Sequence, residues 1–369
     1  LFGLHLLIVF TGNRHIYPTL QNTILKGRLG PSIDEYESFN NRTVKAGSHV
    51  PWQVNENSNS LNQIETDLHS NLKTVAFVVV KDNKIEFEKY WDDYNQDSRS
   101  NSFSMAKSFV SMAIGAALQD GSIKSIDQTV SEYLPDFKGG ENVTIRNLLE
   151  MSSGINFDEH YINPFAYPAR ANYGNDLWKL TFKYNYEGEA GKEFKYLSGN
   201  TQLLSFILKQ ATGKTVSEYF SKKIWSKVGA KNDALWTLDK EDGLEKAFCC
   251  FNSNARDFAR LGKLYLDSGK VNGEQIIPSW YVSESISPTG TVESNGGSCN
   301  RYGYQWWLTE YKGKKVFYAR GILGQYIIVI PEDKMVISRL GYKRIKPKGF
   351  EPPGELMAYI DMAFRLTVK

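Results

Sequence analysis

Hydrophobic and polar positions divide the chain into stretches of different character. Residues 12–72 are polar and hold no sustained period, and 55–60 (Asn-Glu-Asn-Ser-Asn-Ser) read as a linker or surface loop. Two β-rich runs follow at 75–80 and 85–91, joined by Lys81-Asp82-Asn83-Lys84, which has the turn chemistry of a hairpin. From Phe103 to Leu118 nearly every residue after Lys107 is apolar or small, which predicts a helix enclosed by protein on most sides, with Gly121 as its stop. Residues 126–245 are mainly helical in pattern: Asp127 and Thr144 are good N-caps, and 198–211 predicts a helix ended by Gly213. Strands return at 303–311, 316–319, 325–330 and 335–340, with Pro331-Glu332-Asp333-Lys334 as a tight turn, and 353–364 predicts a closing helix. Neither the early hairpin nor the late strands are enough to stand alone. The economical arrangement puts them in one antiparallel sheet with helices on its faces.

This pattern divides the chain into an N-terminal extension (1–72), an α/β sheet domain built from 73–125 and 246–369, and a helical domain (126–245) inserted between them. The length of 369 residues, 41% of them hydrophobic, supports a large core and two lobes. A net charge of +3, spread over many residues of both signs, indicates neither nucleic acid nor an anionic surface as partner. Cys249, Cys250 and Cys299 make no disulfide framework and have no zinc-ligand spacing, so the adjacent pair reads as buried packing and neither a metal nor a cofactor is expected. The apolar opening, residues 1–10, is too short to span a bilayer. It reads as the tail of a signal peptide or membrane anchor, so a periplasmic or membrane-anchored protein is expected, with a cytoplasmic one left open.

The candidate chemistry starts at Ser104. Lys107 lies one turn along the same helix, so the two side chains share a face. A lysine buried beside a hydroxyl tends to lose its proton and can then activate a serine. The plain alternative is that Ser104 is an N-cap and Lys107 a solvated first-turn residue. Ser70-Asn71-Leu72-Lys73 repeats the spacing but runs straight into a strand, and reads as chance. Four of the five histidines precede Ser104 and no Gly-x-Ser-x-Gly elbow exists, which excludes a Ser-Asp-His hydrolase of the α/β type. Gly213-Lys214-Thr215 lacks the leading glycine of a phosphate loop and reads as a helix stop. With histidine unavailable, a tyrosine is the obvious second base. Tyr196, at the mouth of the helix that starts with Ser198-Gly199-Asn200, is one candidate among 21 tyrosines. The third stretch, Ala319-Arg320-Gly321-Ile322, is a strand edge whose glycine lets a ligand approach the backbone.

In this order, these stretches resemble the serine β-lactamase and penicillin-binding-protein superfamily, most of all its class C-like branch of esterases and 6-aminohexanoate-dimer hydrolases. The resemblance covers roughly residues 75–368 and is supported by 143–154 and 254–262, which are similar to structural segments of that family. It implies an α+β, β-lactamase/transpeptidase-like fold: an antiparallel five-stranded sheet flanked by helices, with an inserted helical lobe. It also implies that Ser104 is acylated, that Lys107 and Tyr196 act as bases, and that the backbone N–H groups of Ser104 and Ile322 form an oxyanion hole. Ser198, Arg320, Gly321 and Tyr161, the last in a loop similar to the substrate loop of nylon-oligomer hydrolases, would bind substrate. The chain departs from the family where Lys-Thr-Gly is usual, since Ala319 offers neither charge nor hydroxyl.

Three readings follow. The first is a serine hydrolase (carboxylesterase or amidase) that cleaves small esters or amides through an acyl-enzyme. The second is a β-lactamase or DD-peptidase, and the third a non-catalytic binding or sensor protein of the same fold. Tyr161, Phe165, Tyr167 and Tyr173, taken as lining the site, favour a short apolar acyl chain.

Overall fold

The computed structural model describes residues 5 and 8–368, so most of the apolar opening lies outside the described residues. Among the described residues no helix is long and apolar enough to cross a membrane. The N-terminal segment supplies α1 (Ile16–Asn22), β1 (Asn41–Val44), β2 (Gln53–Val54) and α2 (Gln63–Asn71). The hairpin β3 (Thr74–Lys81) and β4 (Lys84–Tyr90), the short β5 (Ser100–Asn101) and the helix α3 (Met105–Gln119) come next. Beyond α4 (Ser198–Thr212), β6 (Ala234–Thr237) and β7 (Phe251–Ser253) lie α5 (Ala255–Leu266), β8 (Trp307–Tyr311), β9 (Lys314–Gly321), β10 (Gln325–Ile330), β11 (Met335–Gly341) and α6 (Gly354–Leu366).

The main sheet has the order β8-β9-β10-β11-β3-β4-β2, so the early hairpin and the late strands do share one sheet. β11 pairs antiparallel with β3, Ile337 opposite Val79. Its antiparallel body is wider than five strands, and β2 adds a two-residue parallel pairing to β4 at the edge. Side chains alternate across the strands and feed two cores. Val78, Val80, Ala319 and Ile327 face the core that holds α3 and α5, while Phe77, Val79, Tyr318 and Tyr326 face α6. Both faces are therefore dry, as the unbroken apolar run in β3 requires.

α3 runs through the first core with every residue from Met105 to Ala117 buried. Gly115 is needed there: a Cβ would meet Ile277 and the Tyr281 ring at 2.7–2.8 Å. α4 ends at Gly213 in the left-handed conformation, and Thr215 caps the next helix, so the phosphate-loop imitation is punctuation between helices. Thr144 caps Ile145–Leu149 as expected, but Asp127 caps nothing and pairs with Arg146 at 2.7 Å. The expected strand at 303–311 begins only at Trp307, the preceding residues being irregular. A second small sheet, β1-β6-β7-β5, joins the N-terminal segment to the region after α4. Its strands have two to four residues each, too short to show a period.

Candidate active site

Ser104 stands at the N-cap of α3 and makes no capping bond with its side chain, so the hydroxyl is not taken up by the helix. The preceding Phe103 has φ 46°, a left-handed conformation uncommon for a bulky residue, and its N–H is held by Asn101 Oδ1 at 2.8 Å. Lys107 is 1% exposed, with Nζ 3.3 Å from Ser104 Oγ and 2.8 Å from the Phe248 carbonyl oxygen. The same amine lies 5.1 Å from the centroid of the Tyr196 ring, which packs against Tyr302 and Trp307 just before α4. The solvated first-turn lysine of the plain alternative is thus not what the fold builds.

The end of β9 closes the other side. A Cβ on Gly321 would come within 2.2 Å of the Ser102 carbonyl oxygen, so only glycine lets the strand approach the loop that carries Ser104. Leu323 (φ 63°) and Gly324 (φ 86°) then turn the chain into β10. Ser104, Tyr196, Tyr161, Ser198, Arg320, Gly321 and Ile322 all line one cavity of about 720 Å³. The sequence-derived residues therefore come together, with Lys107 beneath its floor. Among the described residues no His, Cys, Asp and Glu cluster is arranged to hold a metal ion.

Arg320 and Ala319 fall on opposite sides of β9. Ala319 is fully buried, while Arg320 stacks 3.8 Å over the Trp307 ring and reaches the cavity. The expected aromatic lining is half right. Tyr161 and Tyr173 line the cavity, but Tyr167 is fully buried beside Thr181, 3.0 Å from its hydroxyl, and Phe165 packs edge-on against His15. The spacing Tyr161-Phe165-Tyr167-Tyr173 hid this because 167–173 is a helix whose faces diverge. Ser70 and Lys73 are both exposed, and neither lines the cavity.

Glu159 is a residue that the sequence did not single out. Its carboxylate accepts from Ser198 N at 2.8 Å, from Ser198 Oγ at 2.5 Å and from the Tyr161 hydroxyl at 2.8 Å. Burial pushes its pKa up, against the charge of Lys107 and these hydrogen bonds. A glutamate in a polar loop carries no sequence signal for such a role; only its place two residues before Tyr161 hints at it. Cys249 and Cys250 are buried, as expected of packing residues, but they are also bonded to each other, and Cys249 lines the cavity. Disulfide spacing patterns concern cysteines brought together by the fold, so neighbours escape them.

A 6-aminohexanoate-dimer hydrolase from Paenarthrobacter ureafaciens is 29% identical over 287 residues, covering 72% of each chain. A solved Bacillus anthracis structure, provisionally named a 6-aminohexanoate-dimer hydrolase, superposes with TM-score 0.77 at 23% identity, over 90% of this chain and 92% of that one. A family VIII carboxylesterase gives TM-score 0.64 at 16% identity, over 82% and 95%. These similarities bear out the resemblance read from the three motifs and the β-lactamase/transpeptidase-like fold. The beta-lactamase family model matches residues 61–348, well over half of the molecule, and the chain accordingly belongs to the beta-lactamase family, a family of serine hydrolases.

Proposed function

We propose that the protein cleaves ester or amide bonds of small, largely apolar substrates through an acyl-enzyme on Ser104. The observation that carries this reading is the buried Lys107 amine 3.3 Å from Ser104 Oγ and against the Tyr196 ring, at the floor of a cavity. In this mechanism Ser104 Oγ attacks the substrate carbonyl carbon while its proton passes to Lys107. The tetrahedral oxyanion is met by the N–H groups of Ser104 and Ile322. Its collapse breaks the bond to the alcohol or amine, which takes a proton through Tyr196 as it leaves. Water then attacks the acyl carbon, returns a proton to the same relay and frees the acid. Glu159 positions Ser198 and Tyr161 at the cavity wall.

One observation favours β-lactam or peptidoglycan substrates as a second reading: Arg320 and Arg344 both line the cavity, where a substrate carboxylate would need a cation. Intact-protein mass spectrometry separates the readings. Exposure to a fluorophosphonate should add one adduct, mapped to Ser104 by peptide sequencing, and exposure to a penicillin should add none. An unmodified Ser104 after fluorophosphonate would refute the hydrolase reading.

A further inference from the structure

One wall of the cavity that holds Ser104 does not come from the sheet or the helical region. Ile16, Leu20, Ile24, Leu29 and Pro31 of the N-terminal segment line it. Leu20, Ile24 and Leu29 are 41%, 61% and 103% exposed, although they are large apolar side chains in a folded segment. Thr19 and Thr23 also line it, but their hydroxyls are spent on the carbonyls of His15 and Thr19 at 2.8 and 2.6 Å. What they offer the cavity is a methyl group.

The wall is pinned in place. His15 Nε2 lies 2.8 Å from the Pro164 carbonyl oxygen, Arg170 donates to Asn13 Oδ1 at 2.8 Å, and Arg28 pairs with Asp34 at 3.0 Å. Pro164 belongs to the adjoining rim, where Ile162 is 97% exposed and Pro168 and Ala169 continue the apolar surface. The two stretches thus make one joined apolar surface along the cavity that holds the nucleophile. Among the described residues the only charged side chains lining this cavity are arginines, Arg320 and Arg344. No aspartate or glutamate among the described residues lines the cavity, so a terminal ammonium on the substrate would meet no carboxylate in the lining.

We infer that residues 16–31 are the specificity-determining wall of this site, and that its substrates carry an uncharged aliphatic acyl chain of medium length, roughly eight to twelve carbons for a pocket of this volume. This rests on the hydrolase reading above and replaces the short chain expected from four aromatic residues, of which only two line the cavity. Each methylene that leaves water against the wall should favour binding about fourfold, until the wall is covered.

The test uses a p-nitrophenyl ester series from acetyl to dodecanoyl, with wild type and the double variant Leu20→Ser/Ile24→Ser. Both side chains are partly exposed, so folding should survive, and circular dichroism checks it. In the wild type kcat/KM should rise at least tenfold from acetyl to octanoyl. The variant should lose at least tenfold on octanoyl and less than twofold on acetyl. A flat or falling wild-type series, or an equal loss on both esters, overturns the inference while leaving the hydrolase intact. If no ester is turned over, the fluorophosphonate label on Ser104 decides the hydrolase reading. The wall is then judged by calorimetric titration of Ser104→Ala with sodium decanoate: binding weakened at least tenfold by the double variant supports it, and no binding or an unchanged affinity overturns it.

Discussion

The ε-amine of Lys107 donates to the main-chain carbonyl of Phe248 at 2.8 Å. A carbonyl only accepts, so this bond holds the amine by its tip while the packed α3 holds its stem. The amine is fixed at Ser104 Oγ before any substrate arrives, and Phe248 itself is fixed at the head of the Cys249–Cys250 pair. A proton acceptor locked in this way loses little freedom at the moment of reaction.

Ser104→Ala should remove turnover without loosening the fold. The hydroxyl makes no capping bond, so stability should stay within about 0.5 kcal/mol of wild type by urea denaturation. Residual ester hydrolysis above about one per cent would count against Ser104 as nucleophile. Ser70→Ala, exposed on α2, should change neither quantity.

Lys107→Ala and Tyr196→Phe should each lower kcat by about 10² or more. The Lys107 amine lies 5.1 Å from the Tyr196 ring centroid, and as parts of one proposed relay their losses should overlap. The double variant should then be little slower than the poorer single one. Logarithmic losses that sum would show two independent functions rather than one relay.

Glu35 and Lys246 give stability a two-armed pH dependence. Burial raises Glu35 from 4.5 to about 7, so the stability it contributes is full below pH 4.5 and is lost as pH rises through 7. Burial lowers Lys246 from 10.5 to about 7, so its contribution is full above pH 10.5 and is lost as pH falls through 7. The share of stability that these two groups carry should therefore fall from pH 4.5 to 7 and recover above it. Glu35→Gln should make the acid arm shallower by about 3 kcal/mol, the size of its shift, while Glu150, which burial also raises from 4.5 to about 7, keeps its own share. Guanidinium midpoints at pH 4.5, 7 and 9.5 check this; parallel profiles for variant and wild type would contradict it.

The elements that the sequence made legible are those whose residues answer to one rule each. α3 was readable because its apolar run has no polar face, and the sheet because β3 and the strands after Trp307 are continuous apolar segments between turns. Ser104 and Lys107 were picked out by spacing, while Tyr196, one of 21 tyrosines, was singled out by the family resemblance. The cavity wall was hidden, because Ile16, Leu20 and Ile24 meet Ser104 only through tertiary contacts of a segment without a long period. Glu159 was hidden for the same reason: its partners Ser198 and Tyr161 lie on separate elements. The Cys249–Cys250 bond depends on local backbone conformation, with Cys250 at φ 69°, which composition does not encode.

The last prediction concerns substrate class. A β-lactam or peptidoglycan stem carries a carboxylate, and holding it by a desolvated charge-assisted hydrogen bond contributes about 1.5–3 kcal/mol. Ala319 supplies nothing, being fully buried on the far side of β9. Arg320 does reach the cavity, but its guanidinium already lies over the Trp307 ring at 3.8 Å. Binding a carboxylate away from the ring would give up that stacking, worth about 0.5–2 kcal/mol, which cuts the gain to about 1 kcal/mol. The rest of the cavity is largely apolar and rewards aliphatic surface. Medium-chain p-nitrophenyl esters should accordingly be hydrolysed with kcat/KM at least tenfold above that of the cephalosporin nitrocefin. Arg320→Ala should lower any nitrocefin turnover and leave octanoyl ester turnover within about threefold of wild type, since the ester offers the guanidinium no charge. Nitrocefin turnover equal to or above the ester would reverse this ranking and move the β-lactamase reading to first place.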